Sequence, residues 1–262
     1  MIVRTLAHPS KALFITVAVL FCCSLILAES PEGEQDAAGR LPSEYAPSSD
    51  LLAQIDYYMG RIGRDLSDES QFGEDQQKRI ALNASTLSTI CLVLGLHDEE
   101  NRLKASALPL IDASQDLADA ADDFGEATKA LAVMQQILDN PAEETDATIE
   151  HEEVADIVLL MQQVPIVNNA LRRGVGSRRF EREIERTAGH AATLAAIAQA
   201  SMFDLNYTYD DESEELWQQI CRDLRDASAD TLIAVRAGDQ EAAQLSLERI
   251  VKTCDACHDE FR

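Results

Sequence analysis

The chain has 262 residues, a formal net charge of −25, hydrophobic residues at 46% and aromatic residues at only 5%. So acidic a surface repels phosphate backbones and argues against nucleic acid as a partner. A high alanine and leucine content with only 11 glycines points to helices packed through small aliphatic side chains, in one large domain or two small ones.

The first 28 residues read as an export signal. A basic opening, MIVRTLAHPSK, precedes an unbroken apolar run from Ala12 to Ala28, with Ala28 as the cleavage residue. At 17 residues the run is slightly long for a signal core and slightly short for a membrane span. An uncleaved N-terminal anchor is the alternative. Export implies a periplasmic location and an oxidising compartment. Of the six cysteines, Cys22 and Cys23 leave with the signal, and Cys91 and Cys221 have the apolar helical contexts of free buried thiols. Residues 29–49, acidic and rich in Pro, Ser and Gly, read as a flexible linker.

From Asp50 onward the apolar periodicity is helical and strand-like alternation never persists. Eight helices are expected: Asp50–Leu66, Asp75–Leu96, one within Asn101–Asp122, Gly125–Leu138, Glu150–Leu171, Arg178–Met202, Glu212–Ala237, and one from Asp239 onward. Pro109 marks a kink or a true start in the third, and Pro165 a kink or an end in the fifth. DNPAEETDAT, residues 139–148, separates the first four helices from the last four. Gly238 ends the seventh and Asp239 caps the eighth.

The two sets of four are copies. LAQIDYYM (52–59) aligns with VADIVLLM (154–161) at an offset of 102. Thr86, Leu87 and Ile90 align with Thr193, Leu194 and Ile197 at 107, as does Arg79 with Arg186. DASQD (112–116) aligns with DASAD (226–230) at 114, as does Leu131 with Leu245. The offset grows only between helices, as loop insertions would make it do. The reading is all-α, two tandem antiparallel four-helix bundles over 50–140 and 150–262, joined by a linker at 141–149.

The eighth helix carries VKTCDACHDEFR (251–262). C-x-x-C-H is the attachment signature of c-type haem: each thiol adds to one vinyl group, and the adjacent imidazole reaches the iron. Here Cys254 and Cys257 would form the covalent thioethers of one haem c, and His258 would be the proximal iron ligand. Leu247, Ile250, Val251, Cys254, Cys257, His258 and Phe261 fall on one helical stripe, which predicts that both thiols and the imidazole point into the bundle core. At offset 114 the first copy has Asn140, Glu143 and Glu144 in place of Cys254, Cys257 and His258, so it lacks the chemistry. A thioredoxin-like dithiol would need a βαβ context, and structural zinc a fourth ligand, for which the spacing of His151 and His190 offers no case. Carboxylate pairs at di-iron spacing do not recur.

CDACHDEFR, preceded by the helix start AGDQEAA (237–243), resembles the cytochrome c-prime family over about 110 residues, Glu150–Arg262. The resemblance implies an antiparallel four-helix bundle with haem on its last helix, a periplasmic location, electron transfer, and in many members binding of nitric oxide or carbon monoxide. It implies that Cys254 and Cys257 bind the haem, that His258 ligates iron, and that Arg262 is the basic residue following the aromatic position. The family's frequent first-helix arginine has no counterpart in EEVADIVLLM.

Met161 decides the distal side. As sixth ligand it would suit electron transfer; as core packing it would leave a five-coordinate iron open to a small gas. Met59 occupies the matching place in the copy without a haem motif, which favours packing. His190, opposite Asn83, reads as a partly exposed helix histidine or a propionate partner, and Trp217 as core. The expected partners are a redox protein or a small diatomic gas, with a dimer or an internal pseudo-dimer in which the first bundle mimics a second subunit. The chain is not expected to be an enzyme; a haem peroxidase would need a distal histidine and arginine. A scaffold protein with a structural haem is the other alternative.

Overall fold

The computed structural model describes residues 40–149 and 154–261. The expected export segment 1–28, residues 29–39 of the linker, residues 150–153 and Arg262 lie outside them. The described residues form helices, three short 3-10 turns and no strand: α1 (Pro42–Tyr45), α2 (Ser48–Asp65), α3 (Glu74–Gly95), α4 (Ala107–Asp119), α5 (Phe124–Asp139), α6 (Ile157–Val175), α7 (Ile184–Ser201), α8 (Asp211–Arg236) and α9 (Gln240–Phe261). The fold is all-α, as expected. Among the described residues no helix is long and apolar enough to cross a membrane.

Local chemistry explains the boundaries. Gly238 has a φ of 73°, the left-handed conformation that stops α8, and the Asp239 carboxylate accepts from the Ala242 amide at 2.9 Å to start α9. Asp210 caps α8 through the Ser213 amide at 2.8 Å. Pro109 lies in the first turn of α4, where its missing amide costs nothing, so it marks a true start. Pro165 neither ends nor begins a helix: α6 runs through it, with its ring on the exposed face. One difference falls within the expected flexible linker. Residues 42–45 form α1, which packs on α8. Tyr45 is buried there beneath the Arg225 guanidinium, 5.0 Å from the ring centroid.

Two helices are buried on every side. Every residue from Leu82 to Leu94 of α3, and from Thr187 to Ser201 of α7, is buried. Their sequences are accordingly apolar or small all round, without a charged face. Several of the hydroxyls are satisfied inside the helix: Thr86 donates to the Leu82 carbonyl at 2.7 Å, Thr193 to Gly189 at 3.0 Å and Ser201 to Ile197 at 2.9 Å, while Ser88 reaches Ile111 of α4 and Thr187 Oγ1 has no partner among the described residues. The other helices are one-sided. On α2, Leu51, Ile55, Tyr58, Met59 and Ile62 make the buried stripe. Each such side chain contributes roughly 1.5–3 kcal/mol on burial.

The packing pairs repeat with the sequence. α2–α3, α3–α4 and α4–α5 pack in succession, as do α6–α7, α7–α8 and α8–α9; α2 also touches α5, and α6 touches α9. Between the sets, α3 packs on α7, α2 on α7 and α3 on α6. The last two are reciprocal: first helix on second, in both directions. One core cluster spans both sets.

The α2–α7 contact is polar. Thr193 donates to Gln54 at 3.2 Å, and the Tyr57 ring meets His190 edge-on at a centroid distance of 5.6 Å. His190 is only 5% exposed, and its Nδ1 has no hydrogen-bond partner. The expectation of a partly exposed histidine is thereby corrected: α7 has no solvent face at this level. Burial first, and then Arg186, Arg61 and Arg173, lower its pKa to about 4. The matching Asn83 is also buried with an unpartnered side-chain nitrogen.

Two stability predictions follow from packing and charge. A Cβ at Gly174 would lie 2.3 Å from Thr187 Oγ1, whereas one at Gly63 would meet nothing within 4 Å. Gly174→Ala should therefore destabilise by about 1–3 kcal/mol, and Gly63→Ala should stabilise by about 0.5–1 kcal/mol, measured by urea unfolding. Because the folded pKa of His190 lies below 6.5, the unfolded chain binds the extra proton, and stability falls as pH drops from 6.5 to about 4. His190→Asn should remove up to about 3 kcal/mol of that acid-side loss, read from urea midpoints at the two ends of the window.

Candidate functional site

The second set of helices is longer than the first in one place. At offset 114, α4 corresponds to residues 221–233 of α8, and α5 to residues 238–253 at the start of α9. The opening turns of α8, from Asp211, and the turns of α9 from Cys254 therefore have no helical counterpart. In the first set α5 stops at Asp139; Asn140 is its C-cap, and Glu143 and Glu144 are non-helical. The first copy thus lacks both the ligand residues and the helix that would present them.

The motif lies in this extension. Cys254 and Cys257 are free and half-buried, His258 is exposed, and Phe261 is half-buried. The stripe is continuous as far as Ile250, the last buried residue of α9. Beyond it the expectation of an enclosed site is corrected. The imidazole is exposed, whereas Cys254, Cys257 and Phe261 still pack against the core cluster. What flanks the extension is α8 and the segment before it. Trp217 packs edge-on against Phe261 at 5.2 Å and donates its indole N–H to the Ser201 carbonyl at 2.7 Å. Tyr209 donates to Glu260 at 2.6 Å.

Helical phase gives the open side its direction. Arg249 is ion-paired with Asp230 of α8. His258 is nine residues further on, about two and a half turns, and so projects from the opposite flank of α9. Apart from α8, α9 packs on α6. Met161 lies half-buried on α6, beside the buried Leu160. Its counterpart Met59 is buried and lines a cleft of about 380 Å³ with Gly60, Gly63, Leu131 and Leu138, between α2 and α5.

The thiols differ in environment. Burial, and then the neighbouring Asp255, raise the Cys254 pKa; burial and then Cys254 raise that of Cys257. Both shifts favour the neutral thiol. Burial pushes Cys91 up to about 12, and burial reinforced by the nearby Cys257 pushes Cys221 up further. Cys91 and Cys221 are free and buried, as expected. Among the described residues no three His, Cys, Asp or Glu side chains converge on a common metal position.

These residues fit a covalently held haem. The thiols stand on one helix face, half-exposed and unpaired with each other, and the adjacent imidazole is free to turn toward a plane laid along that face. Sequence spacing singled out Cys254, Cys257, His258 and Met161. It missed the contacts that steady the extension, Trp217 to Phe261 and Tyr209 to Glu260, because these join residues far apart in the chain. The signal available in retrospect was the excess length of the last two helices over their copies. No protein-family model, no curated protein and no solved structure matches the chain.

In protein without haem, native-state alkylation followed by peptide mapping should label Cys254 and Cys257. Cys91 and Cys221 should react only after unfolding; their labelling in native protein would contradict the burial described here.

Proposed function

We propose that the chain is an exported mono-haem c-type cytochrome of two four-helix bundles, acting in electron transfer or in binding a small gas. The observation that carries this reading is the placement of Cys254, Cys257 and His258 on a helical extension present only in the second copy. Haem held there would supply a one-electron iron couple and an axial position for a small ligand. The chain's own residues would do the rest. Cys254 and Cys257 would anchor the group covalently. His258 would ligate its iron from α9. Phe261, braced by Trp217, would close one edge and keep water from the buried side. Met161 is the side chain on α6 available as a sixth ligand, and the aliphatic residues around it suit an open position if it stays in the packing.

The reciprocal contacts of α2 with α7 and α3 with α6 support reading the first bundle as an internal second subunit. It would complete the wall around α7 without carrying a cofactor.

The test is an optical spectrum of protein made with the haem-attachment machinery. Haem should survive acidified-acetone extraction, Cys254→Ser with Cys257→Ser should abolish covalent attachment, and His258→Ala should retain it with an altered ligand-field spectrum. Absence of covalent haem in the native chain would overturn the proposal. Met161→Leu separates the two modes: an unchanged five-coordinate ferrous spectrum supports gas binding, and loss of a six-coordinate one supports electron transfer.

A further inference from the structure

The two copies differ most where their first helix turns into their second. Each corner is built alike, with one 3-10 turn: Glu69–Gln71 between α2 and α3, and Phe180–Arg182 between α6 and α7. Their charges are opposite. Residues 65–79 hold five carboxylates, Asp65, Asp68, Glu69, Glu74 and Asp75, against Lys78 and Arg79. Residues 172–186 hold six arginines, at 172, 173, 178, 179, 182 and 186, against Glu181, Glu183 and Glu185.

The arginines are exposed, yet most lack partners in a chain where acids outnumber bases by 47 to 22. Arg186 pairs with Glu183 at 2.5 Å, and Glu185 is taken by Arg236. Among the described residues Arg172, Arg173, Arg178, Arg179 and Arg182 form no ion pair. In the acidic corner Asp65 is held by Arg79 at 2.7 Å, while Glu69, Glu74 and Asp75 are exposed and form no ion pair among the described residues.

The corners cannot neutralise each other within one molecule. Arg236 bridges Asp50, at the start of α2, to Glu185, at the start of α7. Gln54 then lies against Gly189, and Tyr58 is hydrogen-bonded with Thr193, so positions 50, 54 and 58 of α2 follow 185, 189 and 193 of α7 and the two helices run side by side in the same direction. The basic corner therefore sits by the start of α2, and the acidic corner follows its end. Asp50 to Asp65 spans about 22 Å of helix, well beyond the screening length of about 8 Å in physiological salt.

We propose that the basic corner docks the acidic corner of a second copy of this chain, giving head-to-tail association. The occupant is argued from complementarity: the same scaffold, with the opposite charge, stands at the other end of the same molecule. Such a contact is heterologous, so it propagates as an open chain unless its rotation closes a ring. Being built from exposed charges, it is weak and salt-sensitive. This inference does not depend on the bound cofactor.

The experiment measures the mass of the full chain by sedimentation at low and high ionic strength. In about 0.01 M salt, where the screening length is about 30 Å, the weight-average mass should rise roughly twofold or more with concentration, and it should return to one copy in about 1 M salt. Arg178→Glu with Arg179→Glu should abolish the rise, as should Glu69→Arg with Glu74→Arg. Mixing these two variants should restore it, because each then supplies what the other lacks. Matching unfolding midpoints would show that both variants are folded. A one-copy mass at low salt, association that survives either reversal, or binding of a hexaglutamate probe by a chain that stays single would each overturn the proposal.

Discussion

The fold depends on burying two helices from all sides. α3 and α7 have no face left for water over three turns or more, so neither can carry charge there and neither can be covered by its own four-helix set alone. Small residues let their neighbours approach closely, and several threonine and serine hydroxyls return their hydrogen bonds to the helix backbone. Everything else is arranged around this demand. α2 and α4 cover α3, α6 and α8 cover α7, and each set lends its first two helices to the other.

That arrangement explains why the candidate site lies at the edge and not in the middle. The shared core is filled by the packed apolar side chains of both sets. A cofactor can be added only where one copy outgrows the other, and there the opening turns of α8 and the turns of α9 from Cys254 make a second, smaller platform. Its steadying contacts are aromatic and local: Trp217 on Phe261, with the indole tied to the end of α7. The half-covered thiols and exposed imidazole are what such a platform produces.

Much of this was legible in the sequence, for definite reasons. Helical periodicity located eight helices because most are one-sided. Gly238 and Asp239 marked a boundary because each has a single strong local use. The expected repeat is matched at Thr86 and Thr193, both fully buried and each donating back to the carbonyl four residues earlier. Other features were hidden because they depend on partners distant in the chain. Tyr45 looked like part of a tether until Arg225 of α8 was seen above it. His190 looked half-exposed because its own helix gives no hint that α2 covers it. His258 looked buried because it continues the apolar stripe in sequence.

The complete enclosure of α7 also bears on the copy without the haem motif. Its helices α2 and α3 form part of the wall that keeps α7 dry, so that half is free to lose ligands but not to lose shape. Its exposed positions can drift, and its charges can even invert, as the corner at Glu69 illustrates against that at Arg182. Gln54 shows the coupling directly: it belongs to α2, yet its side chain lies against Gly189 and Thr193 of α7, so a change there is felt in the other set. The two sets therefore stand as one cooperative unit, because neither central helix is covered without the other set.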